Sequence, residues 1–333
     1  MKRSVRLPLG VTFVVVVSMA GMIPAIATPS CSYNSGNKKV SVSLPAANDS
    51  GTLSIGPGGV IRLNGTACGA ATRFNTDDVQ VTGGNGHQEF VISMTTGPFA
   101  PGFTNEGSGT SEIEFDIMLG NGYNVLQIIG TNNPDRIWAG DLGVNLNASE
   151  NPDDVDVFLS AGSPLGLLTM AGLQSNDHLI ADGGQGTGNE FPVRVTLNGA
   201  EANDTLVGGL GDDFIVGFAG ADFIDGWIGA DTLNGGLGAD IISGGADADT
   251  ISGGPGGDTI HGRGGDDVID GDNDNDLIFG EGGVDTMHGN SGDDDLRSVD
   301  GVADNVYGDT DPNDDSCQRD VGIDNVFTCE ILT

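Results

Sequence analysis

Basic residues are scarce in this sequence: 12 Lys and Arg stand against 48 Asp and Glu, a formal net charge of −36. Such a chain cannot assemble the basic face that nucleic acid or an anionic membrane surface requires, so neither is expected as a partner and cations are the natural counterpart. Aromatic residues make up only 5% of the chain, which leaves few large side chains to fill a deep core. No apolar run after residue 27 is long enough to span a bilayer. A helical hydrophobic period is missing too, and 57 glycines exclude a helix-rich domain for most of the chain.

Catalytic signatures are equally sparse. No H-E-x-x-H occurs, because His87-Gln88-Glu89 lacks the glutamate and second histidine that a zinc protease needs. No G-x-S-x-G occurs, since Gly107-Ser108-Gly109 lacks the earlier glycine. His87 and His178 read as surface or turn residues, and paired acids such as Asp153, Asp154 and Asp156 carry little weight in so acidic a chain. The chain is expected not to be an enzyme.

Four cysteines are present, Cys31, Cys68, Cys317 and Cys329, and none forms a C-x-x-C pair, which argues against thiolate metal ligation. Two separated pairs in an exported chain suggest two disulfides. Three connectivities are open, and proximity favours Cys31 with Cys68 and Cys317 with Cys329.

Export itself is read from the first residues. Lys2, Arg3 and Arg6 form a positive start, Leu7 to Ala20 is mostly apolar, and Ala25-Ile26-Ala27 supplies a small-x-small cleavage pattern. Residues 1–27 are therefore expected to be a signal peptide, and the mature protein to be soluble, secreted and extracellular, without a membrane partner after cleavage. Losing three basic and no acidic residues leaves 9 minus 48, or −39.

What the sequence holds in abundance is a period. From Gly199 to Arg297 it falls into eleven consecutive blocks of nine without insertion or deletion, each opening with Gly. The sixth place is always Asp: Asp204, Asp213, Asp222, Asp231, Asp240, Asp249, Asp258, Asp267, Asp276, Asp285 and Asp294. The eighth is always a bulky aliphatic or Met, from Leu206 and Ile215 to Met287 and Leu296. Gly-x-x-Gly-x-Asp is turn chemistry, and the three residues after it suit a very short strand whose central side chain points inward. Two blocks then make one coil, and stacked coils make two parallel sheets around a narrow aliphatic core.

Blocks alternate sides, so the turns bring Asp204, Asp222, Asp240, Asp258, Asp276 and Asp294 into one column and Asp213, Asp231, Asp249, Asp267 and Asp285 into the other. Carboxylates repeated at rung spacing repel unless a cation lies between them. Carboxylates with turn carbonyls form an oxygen-only donor set, which suits Ca²⁺, whereas zinc or copper would want His or Cys. His261 and His288 sit at the ninth place, outside the turns. Residues 199–297 hold 22 acidic and 2 basic residues, net −20. One ion between each pair of successive same-side turns gives five plus four sites, at most about nine Ca²⁺.

These blocks resemble the hemolysin-type, or RTX, calcium-binding nonapeptide G-G-x-G-x-D-x-U-x. The resemblance implies a parallel β-roll in which the sixth-place Asp and turn carbonyls bind Ca²⁺ between coils. The pattern is departed from at the second place, by residues such as Phe218, Trp227, Arg263 and Glu281, and at the fourth, by Ala202, Asp247 and Asp274. Strain is expected wherever those places need a positive φ.

The flanks are β-rich. Alternating runs such as Val40-Ser41-Val42-Ser43-Leu44 recur among Gly, Asn and Pro clusters. Echoes of the block occur at Gly130 to Trp138 and Gly172 to Ile180, where Asp135 and Asp177 read as turn formers rather than ligands, and again at Gly301 to Val306 and Asp320 to Val326. The expected organisation is a signal peptide (1–27), a β-rich region (28–125), a degenerate β-solenoid (126–197), the calcium-binding β-roll (198–297) and a C-terminal cap (298–333). The overall fold class is all-β: a parallel β-roll or β-helix solenoid preceded by an irregular, solenoid-like region. The expected function is that of a secreted calcium-binding protein whose roll sets after export. The competing reading is a secreted enzyme or carbohydrate-binding adhesin, meeting a cell surface or glycan through the N-terminal region with the roll as a stalk.

Overall fold

A computed structural model describes residues 28–73, 75–95, 114–119, 122–131, 136–140, 143–146, 157–159, 165–182, 192–308, 315–319 and 324–332. The export-signal reading of 1–27, the Gly107 to Gly109 segment, Asp135, and the acids Asp153, Asp154 and Asp156 lie outside them. The described residues form no α-helix; one short 3-10 turn, Pro57–Gly59, is the sole helical element among them. No helix there is long and apolar enough to cross a membrane.

Two sheets, one of 16 strands and one of 14, face each other along the molecule. In the repeat region every pairing between neighbouring rungs is parallel and offset by two nonapeptides, so that Ile215 stands opposite Leu233 on one sheet and Ile224 opposite Ile242 on the other. The chain is therefore a β-roll over the repeats, wound as the eighth-place aliphatics require. Those side chains, from Leu206 and Ile215 through Ile278 to Met287 and Leu296, are at most 1% exposed. Seventh- and ninth-place residues flank them outward, as the alternation of a pleated strand demands.

Thr205–Val207 and Phe223–Asp225 have the three residues expected, but most strands of the roll are longer. Thr232–Leu237, Ile241–Ala246 and Thr250–Pro255 each run six, from the seventh place through the third place of the next block. A first-place glycine has no side chain to collide with the interior, so the ladder continues across it and the turn shrinks to the fourth to sixth places.

Coil stacking begins well before the repeats. Lys39–Leu44, Asp78–Gly83 and Glu114–Met118 pair in parallel on the larger sheet. Ser50–Ile55, Glu89–Ser93 and Asn124–Ile129 do so on the smaller one. Among the described residues antiparallel pairs occur only near the start, as in Ser30–Asn34 with Lys39–Leu44, and in the excursion Arg136–Gly140, Gly143–Asn145 and Val157–Leu159. One contiguous core runs from Val40 to Cys317, but its character changes along the axis. Phe90, Phe115, Leu44, Leu53 and Ile61 fill the N-terminal coils, whereas each half-coil of the roll contributes mainly its single aliphatic. At ~2–3 kcal/mol per buried aliphatic, the roll has less apolar burial per coil to offset chain entropy.

Both ends are cross-linked. Cys31 bonds Cys68 and Cys317 bonds Cys329, the pairing that proximity favoured. The first bridge joins Ser30–Asn34 and Thr66–Thr72, the outermost strands of the two sheets at that end. At the other end Cys329 lies between Asn325–Phe327 and Glu330–Leu332, which close the smaller and larger sheets.

Candidate metal centre

The eleven sixth-place aspartates are all buried, none more than 3% exposed. They stack in the two columns that the alternation of blocks dictates. In the first, the backbone N–H groups of Asp204, Asp222, Asp240, Asp258 and Asp276 donate to Oδ1 of the aspartate one rung on, at 2.7–2.8 Å. In the second, those of Asp213, Asp231, Asp249 and Asp267 do the same at 2.7–3.0 Å. Each such carboxylate thus spends one oxygen tying two coils together.

The other oxygen is spent on nothing. Oδ2 of Asp204, Asp222, Asp231, Asp240, Asp249, Asp258, Asp267, Asp276 and Asp285 is buried without a hydrogen-bond donor. It lies against the first-place glycine of its own block, where the next rung also brings a carbonyl oxygen. A methyl group on Gly217 would stand 2.3 Å from Asp222 Oδ2 and 2.5 Å from the carbonyl oxygen of Gly235. The same pair of oxygens meets at all nine first-place glycines from Gly199 to Gly271, and only a residue without Cβ leaves the crevice open.

Burial is costly for these carboxylates. Removal from water pushes Asp231 and Asp276 up to about 8, against an ordinary value of 3.8. The accepted N–H bond pulls each back, and neighbouring carboxylates push it up again. Asp204, Asp249, Asp258 and Asp285 rise to about 7 and Asp213, Asp222 and Asp267 to about 6 by the same burial. Asp240 is also raised, again by burial.

Among the described residues no three Asp, Glu, His or Cys side chains converge on one point. Any site must therefore combine a turn carboxylate with backbone oxygens. That donor set is hard, flexible and all oxygen, and a buried anionic oxygen lacking a donor is what a cation would satisfy, so the residues fit Ca²⁺.

The off-pattern side chains sit where strain was expected. Phe218, Trp227, Arg263 and Glu281 at the second place, and Ala202, Asp247 and Asp274 at the fourth, all adopt φ between 64° and 83°. The ladder passes through their blocks unbroken. Gly208 to Val216, one of three blocks that match the pattern in full, differs: its Gly209 N–H donates to Asp213 Oδ2 at 2.8 Å and occupies the oxygen that has no donor in the nine aspartates above.

Four aspartates outside the regular blocks join the columns. Asp177 is 1% exposed and its N–H donates to Asp204 Oδ1 at 2.7 Å, so it is part of the ladder as well as a turn former. Beyond the repeats, Asp304, Asp315 and Asp324 accept the N–H groups of Asp285, Asp294 and Asp304 at 2.8–3.2 Å. The first and last of these lie in block echoes visible in the sequence. Asp315 was hidden by an insertion, although Asp315-Ser316-Cys317 keeps the Asp-x-apolar order with a fully buried cysteine in the aliphatic place.

No curated protein matches this chain. Residues 198–233, 228–260 and 261–296 match the family model of the RTX calcium-binding nonapeptide repeat, in 4 copies. The segment from 198 to 296 is an array of RTX calcium-binding nonapeptide repeats, and it forms the β-roll.

Proposed function

We propose that this chain is a secreted, non-enzymatic protein whose roll binds Ca²⁺ through the sixth-place aspartates and becomes ordered when it does so after export. One observation carries the reading: nine buried aspartate Oδ2 atoms without a donor, each on a glycine where, from Gly199 to Gly271, a carbonyl oxygen of the next rung also converges. Asp204, Asp213, Asp222, Asp231, Asp240, Asp249, Asp258, Asp267, Asp276, Asp285 and Asp294 are the residues proposed to hold the ions. Bound calcium supplies positive charge to a segment of net −20 and satisfies oxygens that the protein leaves bare.

Because the ion binds only where successive turns are stacked, it stabilises the folded state by mass action. Calcium is scarce in cytosol and plentiful outside cells, so the roll stays loose before export and sets afterwards. The proposed organisation follows: a cleaved export signal at 1–27, a β-rich region over 28–125, a degenerate solenoid over 126–197, the roll of 198–297 and a cap over 298–333.

Far-ultraviolet circular dichroism of the full chain, with equilibrium dialysis against calcium, tests this. Strand signal should grow as calcium is added and fall in chelator, with several ions bound per chain. An ordered chain that holds no calcium, or a spectrum indifferent to chelator, rejects the proposal.

A further inference from the structure

We propose that the outer face of the larger sheet over Leu210, Phe223, Trp227, Ile228 and Ile241 docks a cationic amphipathic peptide segment, its apolar side on the sheet and its basic side chains on Asp212, Asp225 and Asp247. All five apolar side chains are 40–50% exposed. They occupy adjoining rungs: Phe223 pairs with Ile241 and Ile228 with Ala246, while the Ile228 N–H donates to the carbonyl of Gly209, the residue before Leu210, at 3.2 Å. In the seventh-place column Thr205 and Thr259 stand on either side of Phe223 and Ile241, so the bulk is confined to these rungs. Trp227 has Gly209 and Gly245 at the same place in the blocks before and after it on this sheet, and it holds φ 78°. Neither core burial nor backbone fit accounts for an indole there.

Charge and size together select the occupant. In the rungs that begin at Thr205, Phe223 and Ile241, the seventh, ninth, second and third places hold no charged residue but Asp225. Its carboxyl is raised chiefly by burial, against the Trp227 N–H it accepts at 3.2 Å, the Arg263 charge and the Ser243 hydroxyl. Asp212 and Asp247 are exposed in the turns that follow Leu210 and Ala246. Two arginines border the face and are engaged there, Arg194 with the Asp212 carbonyl at 2.6 Å and Arg263 with Glu281 at 3.3 Å. An apolar face with acids along one side complements a ligand that is apolar on one side and basic on the other. A second copy of a chain of net −36 would bring like charge to that rim. Rungs ~4.8 Å apart, crossed by strands of about six residues, give a face of roughly 15 Å by 20 Å, about 300 Å², against about 800 Å² per side in a stable protein–protein interface. A helical peptide of about 14 residues, at ~1.5 Å each, matches its length.

Fluorescence anisotropy of a labelled amphipathic Leu/Lys peptide of about 14 residues, titrated with the full chain in calcium, tests the proposal. Binding should saturate, and a peptide of the same composition, its Leu and Lys shuffled off a common face, should bind about tenfold more weakly or worse. Trp227→Gly, and Phe223→Thr combined with Ile241→Thr, should each weaken binding by about tenfold or more. These substitutions install the residues that the adjoining rungs carry at the same places, so the roll is kept. Equal binding of the shuffled peptide, or unchanged affinity in the variants, leaves charge alone and overturns the docking face. Sedimentation of the unaltered chain without peptide should show a monomer; a dimer that Trp227→Gly abolishes assigns the face to a second copy and overturns the proposal. A photoreactive leucine in the peptide removes any dependence on how the variants fold. Its cross-links to the unaltered chain should fall between Leu210 and Ala246, and cross-links confined elsewhere overturn the proposal.

Discussion

Asp222 divides its carboxylate between two tasks: Oδ1 accepts the backbone N–H of Asp204 at 2.7 Å, while Oδ2 lies buried with no donor. The first oxygen links two coils wherever they stack, and the second, when ionised, is an uncompensated charge until a cation meets it. This division, repeated along both columns, makes the roll's stability conditional.

The sign of a charge-removing substitution should therefore depend on calcium. Asp231→Asn, at a carboxyl that burial raises to about 8, should stabilise the metal-free chain at pH 8 by about 1–3 kcal/mol and destabilise the calcium-saturated chain by a similar amount. Thermal unfolding of both proteins in chelator and in calcium checks this. A shift of the same sign in both conditions would count against a cation at that rung.

Acidity should partly replace calcium. A carboxyl whose folded pKa lies above its unfolded value binds its proton more tightly when folded, so it favours folding while protonated. For Asp231, Asp249, Asp267 and Asp276, raised from 3.8 to between about 6 and about 8, that contribution is complete below about pH 4 and is lost as pH climbs through 6 to 8. The metal-free roll should be more stable at pH 4.5 than at pH 8, and calcium binding near pH 6.5 should release protons. Calorimetry in two buffers of different ionisation enthalpy measures the release.

Two alanine–glycine exchanges at the fourth place should act in opposite directions. Ala202 has φ 83°, so Ala202→Gly should relieve up to ~1 kcal/mol of strain, partly offset by the freer unfolded chain. Gly238 has φ 135°, and a Cβ there would stand 1.6 Å from the Gly220 carbonyl oxygen. Gly238→Ala should cost roughly 3 kcal/mol or more. Melting temperatures in saturating calcium decide both.

Calcium dependence should be confined to one part of the molecule. In the N-terminal coils the ladder positions are neutral: the Gln88 N–H donates to Asn124 Oδ1 at 3.1 Å, and the Gln88 amide donates onward to the Leu44 carbonyl at 3.1 Å. Among the described residues of these coils no Asp or Glu is buried, and Phe90 and Phe115 enlarge the core. Hydrogen exchange in chelator should show the strands Lys39–Leu44, Ser50–Ile55, Asp78–Gly83, Glu89–Ser93 and Asn124–Ile129 protected and 199–297 exposed, with calcium protecting the latter. Uniform exchange across both would be inconsistent with this.

The disulfides should hold the ends rather than the middle. Closing loops of 37 and 12 residues, they should contribute about 4 and about 3 kcal/mol through the unfolded chain. Replacing Cys31 and Cys68 by serine should raise hydrogen exchange in Ser30–Asn34 and Thr66–Thr72 while the central roll stays as protected as before.

Much of the roll was legible because its information is local. A nonapeptide meets chiefly the blocks two places before and after it, so an unbroken period translates directly into columns and rungs. The eighth-place side chains and the pairing of Ile215 with Leu233 follow from spacing alone. Asp315 and the ladder role of Asp177 did not, because the interval between rung partners there is 21 and 27 residues rather than 18, which erases the phase that identifies a sixth place. The fate of Asp213 was illegible for another reason. Its block matches the pattern as fully as those opening at Gly235 and Gly253, but whether Gly209 turns its N–H toward the carboxylate depends on backbone angles, not on residue type.

By itself, the amino-acid order determined the coil length, the aliphatic axis and the crowding of acid into turns, since each depends only on residues a fixed distance apart. The tertiary structure alone decided that each carboxylate turns one oxygen to the neighbouring coil and buries the other over a glycine. It also decided that amide side chains hold the same positions toward the N-terminus. Those outcomes depend on which distant backbones come to lie side by side where the spacing between rungs is irregular, and no fixed interval along the chain records that.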